Sequence, residues 1–185
     1  MQSRVTLLTI DDAPPGMRSA LEELQARFGE LPPCVRAAAN SPRALDGLLA
    51  LSGSLGWGRI EEDLADRIAI AVAVVNDCTH LEDMHRCALR RNCEVSEDEI
   101  ARARAGHSVN PRYDAALQFA VEIAHARGRV SDDSFRAIRS AGFTDEEIIE
   151  IISHVALQTF GNYLDLSLLP PRENGGRQNV KSAGA

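Results

Sequence analysis

Several absences narrow this chain before any motif is read. Aromatic residues make up only 4% of its 185 positions, whereas apolar residues reach 44%. That apolar share comes from Ala, Leu, Ile and Val, a balance that favours helices packed on helices over a β-sandwich. No cluster of Lys or Arg offsets the net charge of −7, so neither nucleic acid nor an anionic membrane surface is an expected partner. The longest near-continuous apolar run, residues 68–75, is far shorter than the roughly 20 residues a membrane span needs. The first 30 residues show no basic start followed by an apolar stretch, so no secretory leader is expected. Four cysteines, Cys34, Cys78, Cys87 and Cys93, do not read as a disulfide framework in a chain of this size. The expectation is an all-α, cytoplasmic protein.

What is present is clear punctuation. Residues 1–15 read as an extended lead-in, 16–169 as a single helical domain, and 170–185 as a loose tail rich in Pro, Gly and polar residues. A first helix is closed by Gly29, and another opens with Ser41 as N-cap and Pro42 at its first position. An apolar helix over 61–75 is interrupted at Asn76-Asp77, and a new helix runs from about Cys78 to Arg91. Ser96/Glu99 and Thr144/Glu147 have capping-box spacing. Between them, one helix stops at Gly128, and another runs from Ser131 to Gly142. The closing helix carries Ile148, Ile149, Ile151, Ile152, Val155, Ala156 and Leu157 around most of its circumference. It is expected to be central in its bundle or to lie in a homo-oligomer interface (dimer, trimer or hexamer).

The chemistry concentrates in "CTHLEDMH", residues 78–85. A thiol in the first turn of a helix meets unpaired N–H groups and the helix dipole, so the pKa of Cys78 is expected to fall. At ~100° per residue, His85 comes within about 20° of Cys78 on the same face, about 10 Å along the axis. Leu81 lies between them, and His80 returns to that face only if the first turn is irregular. The same spacing fits a plainer reading, with Cys78 a small buried residue, His85 a partly buried one and the acids a solvated turn. "EDMH" and "EIAH" are both Glu-x-x-His, but so short a pattern is expected by chance in an acidic chain, and no metal is expected. His154 reads as a hydrogen-bonded buried histidine, His107 as a solvated loop residue and Trp57 as a packing anchor.

The stretch from Asp66 to His85 resembles the alkylhydroperoxidase-D-like branch of the carboxymuconolactone decarboxylase family. That branch carries a Glu, eleven residues, then Cys-x-x-Cys-x-x-x-His. Asp66 stands at the Glu position, Cys78 at the first Cys and His85 at the His, while His80 matches a further His of some members. "CEVSEDEI" is similar to the turn that follows. "RFGELPPCVRAAANSPRALDGLLALSGSL" and "VSDDSFRAIRSAGFTDEEIIEIISHVALQTFGNYLDL" are similar to the family's lead-in and closing helices. The likeness covers residues 15–168 and implies an all-α, oligomeric fold. It also implies a pocket lined by Leu81, Asn162 and Tyr163, with Cys78, His80, His85 and Asp66 as the catalytic set.

Position 81 departs from the motif. The family's second cysteine attacks the peroxide, and Leu81 can neither ionise nor form a disulfide. Cys87 lies about 180° from Cys78 on a helix, Cys93 lies beyond the expected helix end, and Cys34 has no assignable place. The resemblance then implies a site without cofactor, like that of the decarboxylating branch. There His85 moves a proton on a small organic acid or lactone, Cys78 or the helix start stabilises developing negative charge, and His80 and Asp66 orient water or tune His85. Two alternatives remain, a single-cysteine hydroperoxide reductase working through Cys78 and a non-catalytic ligand-binding oligomer.

Overall fold

The computed structural model describes residues 3–93 and 95–169. These residues form nine α-helices, after one turn of 3-10 helix over Pro15–Met17. The helices are α1 (Arg18–Phe28), α2 (Pro33–Ala38), α3 (Pro42–Leu55), α4 (Glu62–Val75), α5 (Thr79–Cys93), α6 (Glu97–Arg104), α7 (Pro111–His125), α8 (Asp132–Ser140) and α9 (Asp145–Leu168). No strand occurs among the described residues. None of their helices is long and apolar enough to cross a membrane.

Local chemistry sets the helix ends. Ser41 Oγ accepts the N–H of Ala44 at 3.3 Å, with Pro42 following it. Thr144 and Glu147 form a complete capping box at the start of α9. The box expected at α6 is only half made. Ser96 accepts from the Glu99 N–H at 3.3 Å, but the Glu99 carboxylate turns away to Arg67, at 2.6 Å, and to Ser108 and Val109. The side chain of Arg67 is only 7% exposed, and a buried cation holds a carboxylate more strongly than a backbone N–H does. Gly29 ends α1 at φ 83°, where a Cβ would project to within 2.6 Å of the Arg91 guanidinium.

The core has its axis in α4 rather than in the closing helix. Every residue from Leu64 to Ala73 except Ala65 is buried, and α4 packs against α5, α6, α7 and α9. Helix α9 packs against α2, α3, α4, α5 and α7, yet leaves Ile149, Ile152, Phe160, Tyr163 and Leu166 exposed. One apolar cluster joins α4, α7, α8 and the first half of α9. A second joins α1, α2 and α3 to Cys78, Leu81 and Met84, so α5 lies at the seam between them. The lead-in is tied across α9 and α2: Arg4 donates to the Leu168 carbonyl at 2.8 Å and Leu8 to that of Arg36 at 3.2 Å. The tail over 170–185 lies outside the described residues.

Candidate active site

The interruption between α4 and α5 positions the site. Asp77 takes φ 55°, and the Cys78 N–H donates back to the Ala73 carbonyl at 2.8 Å. The chain therefore reverses tightly before α5 begins at Thr79, and the side chains of the 78–85 stretch divide between two environments.

The first environment contains His85 and Asp66. His85 Nδ1 lies 2.8 Å from Asp66 Oδ1, and Arg27 Nη2 donates to the same oxygen at 2.8 Å. Burial pushes the Asp66 carboxyl up, but the hydrogen bonds and charges of His85 and Arg27 outweigh it and hold the group below its ordinary value. An ionised carboxylate only accepts, so Nδ1 carries a proton, and in the neutral imidazole it is Nε2 that has the lone pair. The Phe28 ring meets His85 edge-on at 5.2 Å. These groups line a cavity of about 320 Å³ together with Leu81, His154 and Gly161. Much of the remaining wall is apolar, including Leu24, Val35, Leu48 and Met84. A Cβ at position 161 would lie 3.4 Å from Leu81 Cδ1, an ordinary van der Waals contact, so Gly161 of α9 faces the leucine that stands at the second-cysteine position of the motif.

The second environment contains Cys78 and His80. His80 Nδ1 lies 2.8 Å from Asp165 Oδ1, and Cys78 Sγ donates to Asp165 Oδ2 at 3.5 Å. Burial, and then the Asp165 carboxylate, push the Cys78 thiol up to about 12. This corrects the expectation of a lowered pKa: the thiol precedes the first turn of α5 and faces a buried anion, so the helix dipole does not prevail. Cys78 and His80 are not part of the cavity wall.

Asn162 and Tyr163 also lie away from that wall, contrary to the sequence expectation. Asn162 is fully buried, its Nδ2 3.5 Å from the Val72 carbonyl, because its turn of α9 packs on α4. Tyr163 is 59% exposed and faces outward. Cys93 closes α5 rather than lying beyond it, and Trp57 is 94% exposed, not a packing anchor.

Asp165 and Arg27 were not singled out from the sequence, Cys34 had no assignable place there, and His154, read as a hydrogen-bonded buried histidine, is buried with its Nε2 unpartnered among the described residues. Asp165 had a signal: Ile148, Ile151, Val155, Asn162 and Asp165 follow helical spacing along the buried stripe of α9. His154 lies on the same helix one turn before Gln158 and lines the cavity. Arg27 and Cys34 reach the cavity only through tertiary packing. Among the described residues no group of three His, Cys, Asp or Glu side chains could hold a metal ion. Glu82 of the first Glu-x-x-His is paired with Arg104, and Glu122 of the second accepts from the Ser131 N–H.

No family model and no curated protein matches the chain. Solved structures do. A variant of the debrominase Bmp8 in complex with 2,3,4-tribromopyrrole superposes with a TM-score of 0.78, at 20% identity over 90% of each chain. An alkylhydroperoxidase AhpD core, a peroxidase-related protein from Ralstonia eutropha JMP134, gives 0.76 at 24% identity over 94% of each chain. A peroxidase-related protein from Silicibacter sp. TM1040 gives 0.75 at 20% identity over 93% of each. With the helix order, the α4–α5 break and these superpositions together, the resemblance read from residues 15–168 holds at the level of architecture: the chain has the alkylhydroperoxidase-D-like all-α fold.

Proposed function

We propose that this protein is an acid/base enzyme of the carboxymuconolactone-decarboxylase type, needing no cofactor, with His85 as the proton-transfer group and Asp66 as the residue that positions it. The observation that carries this reading is the His85–Asp66 hydrogen bond of 2.8 Å at the wall of a largely apolar cavity. With Nδ1–H held by the carboxylate, Nε2 can take a proton from an acidic C–H, and Asp66 stabilises the imidazolium that results. Returning that proton to a second carbon isomerises the substrate; in a decarboxylation the carboxylate departs as carbon dioxide, and protonated His85 gives the carbon left behind its proton, which water then replaces. The proposed substrate is a small organic acid or lactone. The fold's occurrence in a debrominase bound to tribromopyrrole supports a ligand about the size of one ring.

Turnover of candidate lactones by wild type and His85→Ala tests the reading. A loss of roughly 10²–10⁴-fold is expected for removal of a general acid/base, and an unchanged rate ends it. Peroxide reduction at Cys78 has less support, because its thiol is buried and hydrogen-bonded to a carboxylate. Peroxide consumption with a dithiol reductant, equal in wild type and Cys78→Ser, is the expected result. The exposed apolar side chains of α9 support a homo-oligomer, which light scattering in solution would measure. Cytoplasmic localisation belongs to the same proposal.

A further inference from the structure

Three polar atoms of the cavity residues have no hydrogen-bond partner among the described residues: Arg27 Nε, which faces the Glu62 carboxylate at 3.4 Å, Asp66 Oδ2 and His154 Nε2. Asp66 is 0% exposed and His154 7%, and both line the same cavity. Leaving a buried donor or acceptor unmade costs about 1–3 kcal/mol, and with Arg27 Nε beside Glu62, the Asp66 oxygen and the His154 nitrogen call for a ligand group that satisfies both. The carboxylate oxygen only accepts, whereas a neutral imidazole offers one N–H and one lone pair. A hydroxyl group, donor and acceptor at once, complements them.

The charge of the wall selects further. Arg27 is the only Lys or Arg among the described lining residues. It is already engaged by Asp66 at 2.8 Å and by Glu62 at 3.4 Å. A ligand carboxylate entering here meets two acids and no unmatched cation. His154 supplies no charge either, because burial, with Arg27 and then His85 nearby, lowers its pKa to about 4.

We propose that His154 Nε2 and Asp66 Oδ2 form a clasp for the hydroxyl of an uncharged, otherwise apolar ligand, and that the cavity discriminates against carboxylates. This rests on the reading of the cavity as the reaction site and, within it, favours isomerisation of a neutral lactone over decarboxylation of an acid. The ligand is narrowed to hydroxylated neutral molecules, such as a hydroxylactone, an enol or a phenol. His154 is then a ligand-contacting residue with no proton to give up at neutral pH.

Phenol, toluene and benzoate test it, titrated at pH 7 into the full chain and followed by heteronuclear NMR. Phenol is expected to bind roughly tenfold more tightly than toluene, the worth of about 1.4 kcal/mol, and more tightly than benzoate. In His154→Phe the advantage of phenol over toluene disappears while toluene binding stays. His154→Gln, which keeps a donor, retains part of the advantage and serves if the Phe variant fails to fold. Benzoate binding as tightly as phenol, no saturable phenol binding, or an unchanged phenol-to-toluene ratio in both variants overturns the proposal. Binding is read without turnover, so His85→Ala that leaves the rate unchanged ends the catalytic reading while the phenol preference still stands or falls by itself.

Discussion

Helix α5 carries two histidines five residues apart, and each is bonded through Nδ1 to a buried aspartate at 2.8 Å. The two pairs have the same chemistry and different surroundings. At Asp66 the third partner is Arg27, a cation, and the histidine lines a cavity. At Asp165 the third partner is the Cys78 thiol, and neither Cys78 nor His80 lines that cavity. The first arrangement leaves an imidazole nitrogen for a ligand. The second fastens the start of α5 to the last turns of α9. An imidazole–carboxylate hydrogen bond is therefore not by itself a sign of catalysis; the third partner and the space beside the ring decide what it does.

Substitutions at the two pairs should separate these roles, and the largest effect is expected at His85. His85→Ala should lower turnover roughly 10²–10⁴-fold, whereas His80→Ala should leave kcat within a few-fold and act on stability. Equal losses at both positions would erase the distinction. Asp66→Ala leaves a half-buried guanidinium and a buried imidazole without their acceptor. It should cost about 3 kcal/mol in denaturant unfolding, the low end for a broken buried pair because Arg27 is one-third exposed. Asp165→Ala removes a neutral thiol's acceptor and should cost less, about 2 kcal/mol.

The pH dependence sharpens the comparison. Asp66 has its pKa lowered in the folded state, so its contribution is present above the ordinary carboxylate range and disappears as pH falls through the lower, folded value. His154 acts over a higher window. Its pKa falls from 6.5 to about 4 on folding, so between those values the unfolded chain binds a proton that the folded chain refuses. Stability should decline as pH drops through that window, by up to about 1.4 kcal/mol per pH unit. His154→Phe should flatten that slope, and chemical denaturation at pH 7 and pH 5 measures it. The smallest effect is kinetic: iodoacetamide should label exposed Cys87 first, with Cys34 and Cys78, both pushed up to about 12, protected until unfolding. Fast labelling of Cys78 in the native protein would contradict the closed environment described for it.

Helix positions were readable because their determinants are local. Ser41, Thr144, Gly29 and Gly142 act within one turn of chain, and the structure uses each of them. The Asp66–His85 contact was expected only through the family resemblance, and the distance between the two side chains comes from the packing of α4 on α5. The reading that joined Cys78 to His85 failed because it treated residues 78–85 as one ideal helix. In fact α5 begins at Thr79 after a left-handed Asp77, and the thiol turns toward α9. His80 pairs with an aspartate 85 positions away, a partner that no spacing within α5 could indicate.

By itself the sequence determined an all-α chain with its break at Asn76-Asp77, because capping, helix propensity and apolar periodicity are properties of neighbouring residues. Only the tertiary structure decided which side chains share a cavity. Arg27 comes from α1, Asp66 from α4, His85 from α5 and His154 from α9. Their charges and burial depend on how four helices pack, a long-range outcome that sequence spacing within any one helix does not encode.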